Sequence, residues 1–176
     1  MIARLADTPV LETERLTLRA PGPQDLDAAC AFFTTARAGF VGGGDDKDET
    51  HAFRVLAIIA GHWVLHGFGT FIAVLRDTGE TVGAFGPWYP KGWPEREIGW
   101  SLWDPNLEGK GLASEAARVT LEHAYRDLGW ETAVSYIAPE NAPSQAVAQR
   151  LGATLDAAAT PPDPGTLVFR HPRADA

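Results

Sequence analysis

Cysteine is nearly missing from this chain of 176 residues: Cys30 stands alone. Neither an intramolecular disulfide framework nor a metal site built on several thiolates can form, which fits a reducing compartment, with the cytoplasm as the expected location. Basic residues are also in short supply. The chain has 15 Lys and Arg against 23 Asp and Glu, a formal net charge of −8, whereas nucleic acids and anionic membranes are bound chiefly by clustered Lys and Arg. Neither is an expected partner; a neutral or cationic one is. No apolar run reaches the roughly 18 residues needed to span a bilayer. The opening Met1-Ile2-Ala3-Arg4-Leu5-Ala6-Asp7 lacks the basic start and apolar stretch of a secretory signal. Internal repeats and dividing linkers are missing too, so one domain over residues 1–176 is expected.

What the chain does have is core material: 45% of its residues are apolar, and at this length about 70% of the unfolded surface can be buried. Alternation makes Arg15–Arg19 a strand, closed by Pro21-Gly22-Pro23. A helix opening at Asp25 aligns Leu26, Cys30 and Phe33 on one apolar face, which makes Cys30 a core residue with no charged neighbour to activate it. Gly42 to Glu49, rich in glycine and acid, reads as a loop. The next helix carries Phe53, Leu56, Ala57, Ala60 and Val64 at helical spacing. Its His62 and His66 read as solvent-facing or core-edge, since Trp63 stands where a metalloprotease helix carries its Glu. A hairpin follows, Phe71–Leu75 and Thr81–Phe85 around Asp77-Thr78-Gly79-Glu80, then a third adjacent strand, Glu97–Trp103. A helix near Ala113–Leu128, a strand at Ala133–Ile137, a helix from Asn141 to Gly152 and a strand at Thr166–Arg170 complete the order.

The strongest chemical feature is Gly109-Lys110-Gly111-Leu112-Ala113-Ser114-Glu115, between a strand and a helix start. Two glycines admit close backbone approach and the first helical turn offers free N–H groups, so the turn suits a phosphate or pyrophosphate. It is not a nucleoside-triphosphate loop, because Lys110 is followed by Gly111 and Asp104 stands where the first Gly belongs. A dinucleotide-binding turn fits poorly, since Ser114 replaces the third Gly and about a hundred residues precede it.

Three strings in order, Glu97-Ile98-Gly99-Trp100-Ser101-Leu102, Pro105 to Ala116, and Asn141-Ala142-Pro143-Ser144 with Leu151-Gly152, resemble the GNAT superfamily of acetyl-CoA-dependent N-acetyltransferases. The opening Thr13 to Arg19 and the closing Val168-Phe169-Arg170-His171-Pro172 resemble its ribosomal-protein N-terminal acetyltransferase branch. The resemblance implies an α/β fold, the acyl-CoA N-acyltransferase fold: a mixed, mostly antiparallel sheet of six or seven strands with helices on both faces.

It also implies a site. Coenzyme A pyrophosphate would rest on the amides of Gly109, Lys110, Gly111, Ala113 and Ser114, the pantetheine arm would pair with backbone near Leu102 and Trp103, and Asn141 would hydrogen-bond the arm near its thioester. Aminolysis of a thioester needs a base for the amine and an acid for the departing thiolate. Glu97 is the base, acting directly or through water, or else an ordinary strand Glu; Ser144 is the acid or the holder of an acidic water, or else a helix residue with a local bond. Many family members carry a Tyr four residues later, where this chain has Ala148. The implied co-substrate is acetyl-CoA, with no metal. The acceptor is a small-molecule amine or a peptide amino terminus, drawn to Trp88, Tyr89, Trp93, Trp100 and Trp103 and to the acids Asp45, Asp46, Asp48 and Glu49, unless these are ordinary core aromatics and a solvated loop. Family members are often dimers, which leaves a homodimer open. The missing Tyr keeps a second reading alive, a non-catalytic acetyl-CoA-binding sensor of the same fold.

Overall fold

The structure is a computed structural model that describes Leu5 and residues 7–173. One eight-stranded sheet organises them, in the order β1-β2-β3-β4-β5-β6-β8-β7. The strands are β1 (Leu11–Glu12), β2 (Leu16–Arg19), β3 (Phe71–Leu75), β4 (Thr81–Trp88), β5 (Glu97–Leu102), β6 (Val134–Ile137), β7 (Thr154–Leu155) and β8 (Leu167–Arg170). Every neighbouring pair is antiparallel except β5 and β6. The count exceeds the expected six or seven because β1 and β7 are two-residue edges, too short for alternation to register.

Four helices cover the sheet: α1 (Leu26–Phe33), α2 (Glu49–His66), α3 (Leu112–Arg126) and α4 (Ala142–Arg150). On one face Ala29, Phe32 and Phe33 of α1 and Ala52 and Leu56 of α2 enclose Ile72, Ala84 and Trp103. On the other, α3 packs Leu112 and Ala116 against Leu16, Phe71 and Phe85, and closes on Val147 and Leu151 of α4 through Ala117. Ala148, where many relatives carry a phenol, is fully buried against Ile137 and Phe169. A bulge lets β4 bend: between the pairs Ala73–Gly83 and Val74–Thr81, Val82 has no partner. A Cβ on Gly83 would stand 2.0 Å from the Ser101 carbonyl oxygen, so only glycine fits.

Helix α2 departs from its expected stripe. It buries Ala52, Leu56, Ile59, His62 and Trp63, leaving Phe53 57% and Val64 70% exposed. The helix is apolar on nearly every side, so periodicity does not say which side meets the sheet. His62 sits at the core edge, and both its ring nitrogens are engaged. Nε2 accepts the Tyr89 N–H at 3.0 Å, so the proton sits on Nδ1, which donates to the Phe68 carbonyl at 2.8 Å. Cys30 is half-buried at a cleft between α1 and α2, and its thiol is pushed up, chiefly by burial and then by Glu49 and Asp27. Asp25 does not cap α1 with its side chain. Fully buried, it accepts both guanidinium N–H groups of Arg19, at 2.8 and 2.7 Å, and the Gly22 N–H.

Candidate active site

The sheet is interrupted where its two parallel strands meet. β5 and β6 pair at one register position, Glu97 with Val134, where the Val134 N–H donates to the Arg96 carbonyl at 3.0 Å. The next rung of a parallel ladder would run from the Tyr136 N–H to the Ile98 carbonyl. The pairing does not continue to that position, and the Ile98 carbonyl accepts the Ser135 hydroxyl at 2.6 Å. Past this point the strands form a fork. Pairing with β4 settles which groups of β5 face it: Pro87, opposite Ile98, has no N–H, while the Trp103 N–H donates to Val82 at 2.9 Å. Backbone groups of Gly99, Ser101 and Trp103 therefore point at β4, and those of Ile98, Trp100 and Leu102 point into the fork.

Glu97 stands at the root of the fork, half-buried, on the face covered by α1 and α2. Its Oε2 accepts the Trp93 indole N–H at 2.6 Å, and the Tyr136 amide also faces the carboxylate. Burial pushes the carboxyl up to about 7, against the smaller opposing pull of these two N–H groups; no cation contributes. A carboxyl that titrates there exchanges protons readily near neutral pH.

At the open end, the turn before α3 places Gly109 and Gly111 at φ 73° and 79°, the left-handed region where glycine is at ease. Gly111 precedes the helix without capping it by a side chain, so the N–H groups of Leu112, Ala113 and Ser114 lack intrahelical acceptors. The exposed Lys110 lies between the glycines. Glu115, next along the helix, would repel an anion, but the β1–β2 turn grips it: Arg15 Nε donates to it at 2.7 Å and Thr13 Oγ1 at 2.6 Å. Arg15 also donates to the Lys110 carbonyl at 2.8 Å, fastening the turn from outside.

Across the fork, Asn141 caps α4, its Oδ1 accepting the Ser144 N–H at 3.2 Å. Ser144 Oγ accepts the Trp100 indole N–H at 3.3 Å, which leaves its own proton free to donate.

Along the fork the fold places Glu97 at its root, Leu102 on its β5 side, Asn141 and Ser144 at the start of α4, where Ser144 meets Trp100, and the turn Gly109, Lys110, Gly111, Ala113 and Ser114 before α3. It does not bring Trp103 there. The Trp103 N–H is spent on Val82, its carbonyl accepts Arg37 at 2.8 Å, and its ring is buried against Phe32 and Phe33. Nor do the aromatics gather: Trp88 stacks on His62, Trp93 serves Glu97, and Trp100 lies on the α3 and α4 face. In the acidic loop Asp48 caps α2 and Asp46 pairs with Lys47. Sequence reasoning missed the parts of Arg15, Arg37, Ser135 and His171, whose partners are remote in the chain, and assigned Trp93 to the acceptor, whereas it donates to Glu97. Among the described residues no three His, Cys, Asp or Glu side chains converge as metal ligands, and no helix is long and apolar enough to cross a membrane.

A family model described as an acetyltransferase (GNAT) domain matches residues 15–154. The chain belongs to the GNAT acetyltransferase family. The GNAT resemblance read from the three strings is borne out, and with it the fold class and the assignment to the acyltransferase enzymes. An acetyltransferase from Agrobacterium tumefaciens str. C58, known as a crystal structure, is 37% identical and matches with a TM-score of 0.86 over 97% of this chain and 98% of that one. The uncharacterized N-acetyltransferase YnaD of Bacillus subtilis (strain 168) is 34% identical over 82 residues, 47% of this chain and 48% of its own. The ribosomal L7/L12 α-N-protein acetyltransferase RimL, solved in complex with coenzyme A, shares the GNAT fold at 18% identity, with a TM-score of 0.71 over 93% of this chain and 96% of that one.

Proposed function

We propose that the protein transfers an acetyl group from acetyl-CoA to a primary amine, on a small molecule or at a peptide amino terminus, by direct attack in a ternary complex. The observation that carries this reading is Glu97: a carboxyl titrating near 7, without a cation, at the root of a fork whose β5 edge is open. The solved complex of RimL with coenzyme A and the family match support the co-substrate.

In this reading the amides of Gly109, Lys110, Gly111, Ala113 and Ser114, backed by Lys110, hold the pyrophosphate, with Arg15 cancelling the charge of Glu115. The backbone of Trp100 and the Leu102 N–H pair with the pantetheine arm, taking the part first assigned to Leu102 and Trp103, while the Leu102 carbonyl accepts Arg37 at 3.4 Å. Asn141 fixes the start of α4 and offers its Nδ2 to the arm. Glu97 accepts the proton of the incoming ammonium, directly or through water, and Ser144 protonates the departing thiolate. The Trp100 N–H is the free donor nearest Glu97 along β5, suited to the developing oxyanion. A net charge of −8 favours a cationic acceptor.

The test is thiol release from acetyl-CoA in the presence of small amines and amino-terminal peptides, against a control without acceptor. Acceptor-dependent release that Glu97→Gln abolishes supports the reading; release equal to the control with every amine removes it.

A further inference from the structure

Ser135 is buried at 2% exposure in the sheet, and its hydroxyl has two neighbours: the Ile98 carbonyl at 2.6 Å and His171 Nε2 at 2.8 Å. A carbonyl only accepts, so the single hydroxyl proton goes to Ile98 and Ser135 Oγ must accept from His171. His171 therefore carries its proton on Nε2, and its buried Nδ1 has no hydrogen-bond partner among the described residues. Its backbone N–H is tied to the Ala133 carbonyl at 3.0 Å, so the ring is delivered from β8 at a fixed height. The Ile98 carbonyl is the acceptor that the Tyr136 amide would take if β5 and β6 kept pairing. The Ser135 hydroxyl takes one of the two lone pairs of that carbonyl, strand pairing does not continue past Glu97 and Val134, and the Tyr136 amide faces the Glu97 carboxylate.

We propose that Ser135, held by His171, is a positioning residue: its hydroxyl stops the β5–β6 ladder at Ile98, which opens the fork for the pantetheine arm and frees the Tyr136 amide to hold Glu97. The role assigned to Glu97 rests on the function proposed above; the opening of the fork does not. The titratable groups around Glu97 are the Tyr136 phenol, which stays neutral well past pH 7, and Glu95, paired with Arg170 of β8 at 2.8 Å. On the other face His171 is held neutral by burial, which pushes it down to about 4.

Three variants decide the matter. Ser135→Ala frees the Ile98 carbonyl and lets the Tyr136 N–H close the missing rung. Ser135→Thr keeps the hydroxyl. Ser135→Cys fills the volume with a weak donor and carries the comparison should the alanine variant fail to fold. Hydrogen–deuterium exchange at the Tyr136 amide is measured first: it slows by roughly tenfold or more in Ser135→Ala, less in Ser135→Cys, and stays put in Ser135→Thr. The dissociation constant of coenzyme A rises in the same order, and the acid limb of kcat/KM moves to higher pH as Glu97 loses an N–H. A Tyr136 amide that exchanges as fast or faster in Ser135→Ala overturns the proposal. Protection of that amide with an unmoved acid limb overturns the link to Glu97. Should Glu97→Gln retain full activity, the base assignment fails by itself, and exchange and coenzyme A binding still judge the fork.

Discussion

Replacing Glu97 by Gln should make the folded protein more stable while disabling it. An ordinary Glu titrates near 4.5 and Glu97 near 7. Its folded value lies above its unfolded one, so its contribution is fully present below pH 4.5 and is lost as the pH climbs through 7. At about 1.4 kcal/mol for each pH unit between the two values, ionising the half-buried carboxyl lowers stability by up to about 3 kcal/mol at pH 8. Gln keeps the shape and the Trp93 contact without the charge. Urea unfolding at pH 5 and pH 8 measures the difference: Glu97→Gln should exceed the unchanged protein by up to about 3 kcal/mol at pH 8 and by under about 1 kcal/mol at pH 5. In the same preparation kcat/KM should drop by about 10² to 10⁴, the usual worth of a general base. The unchanged enzyme should lose activity as the pH falls below about 7. A stability gap that is the same at both pH values would refute the reasoning, because a packing effect does not titrate.

Three more outcomes follow from the same geometry. Arg15→Ala leaves Glu115 uncancelled beside the turn and should raise KM for acetyl-CoA several-fold with kcat nearly unchanged; steady-state kinetics at low salt show it, and an unaltered KM would exclude Arg15 from anion binding. Gly111→Ala forces a Cβ onto a residue at φ 79°, which should cost about 1–2 kcal/mol and lower the melting temperature in a thermal scan. Ser144→Ala should lower kcat by about 10²-fold or more in the thiol-release assay with coenzyme A binding intact; unchanged turnover would remove the hydroxyl from the mechanism.

What could be read from the chain was whatever lies close together in it. The turn from Gly109 to Ser114 and the helix start at Asn141 carry local signals, glycine and helix-start chemistry, and both appear where expected. Glu97 was found because it begins a strand, but its elevated titration depends on burial and on Trp93 and the Tyr136 amide, which no spacing reveals. Trp103 was misplaced because the direction of its backbone groups depends on the β4 register, set by Pro87 and Val82. Ser135 and His171, 36 residues apart, meet only once β6 and β8 pair. The α2 stripe was ambiguous for a different reason: a helix apolar all round reports its burial and not its orientation.

The two-residue margins of the sheet bear on how the molecule keeps to itself. A long outer strand is a template onto which another chain can add, the first step of many aggregates. Here β1 and β7 offer two residues apiece, Leu11 with Glu12 and Thr154 with Leu155, too little for a stray strand to zip onto. Among the described residues β5 also runs without a strand partner on its β6 side at Trp100 and Leu102, but that margin lies inside the sheet, between β4 and β6. The longer unpaired margin is therefore turned to the inside of the sheet, flanked by its own strands, and not offered at an outer edge.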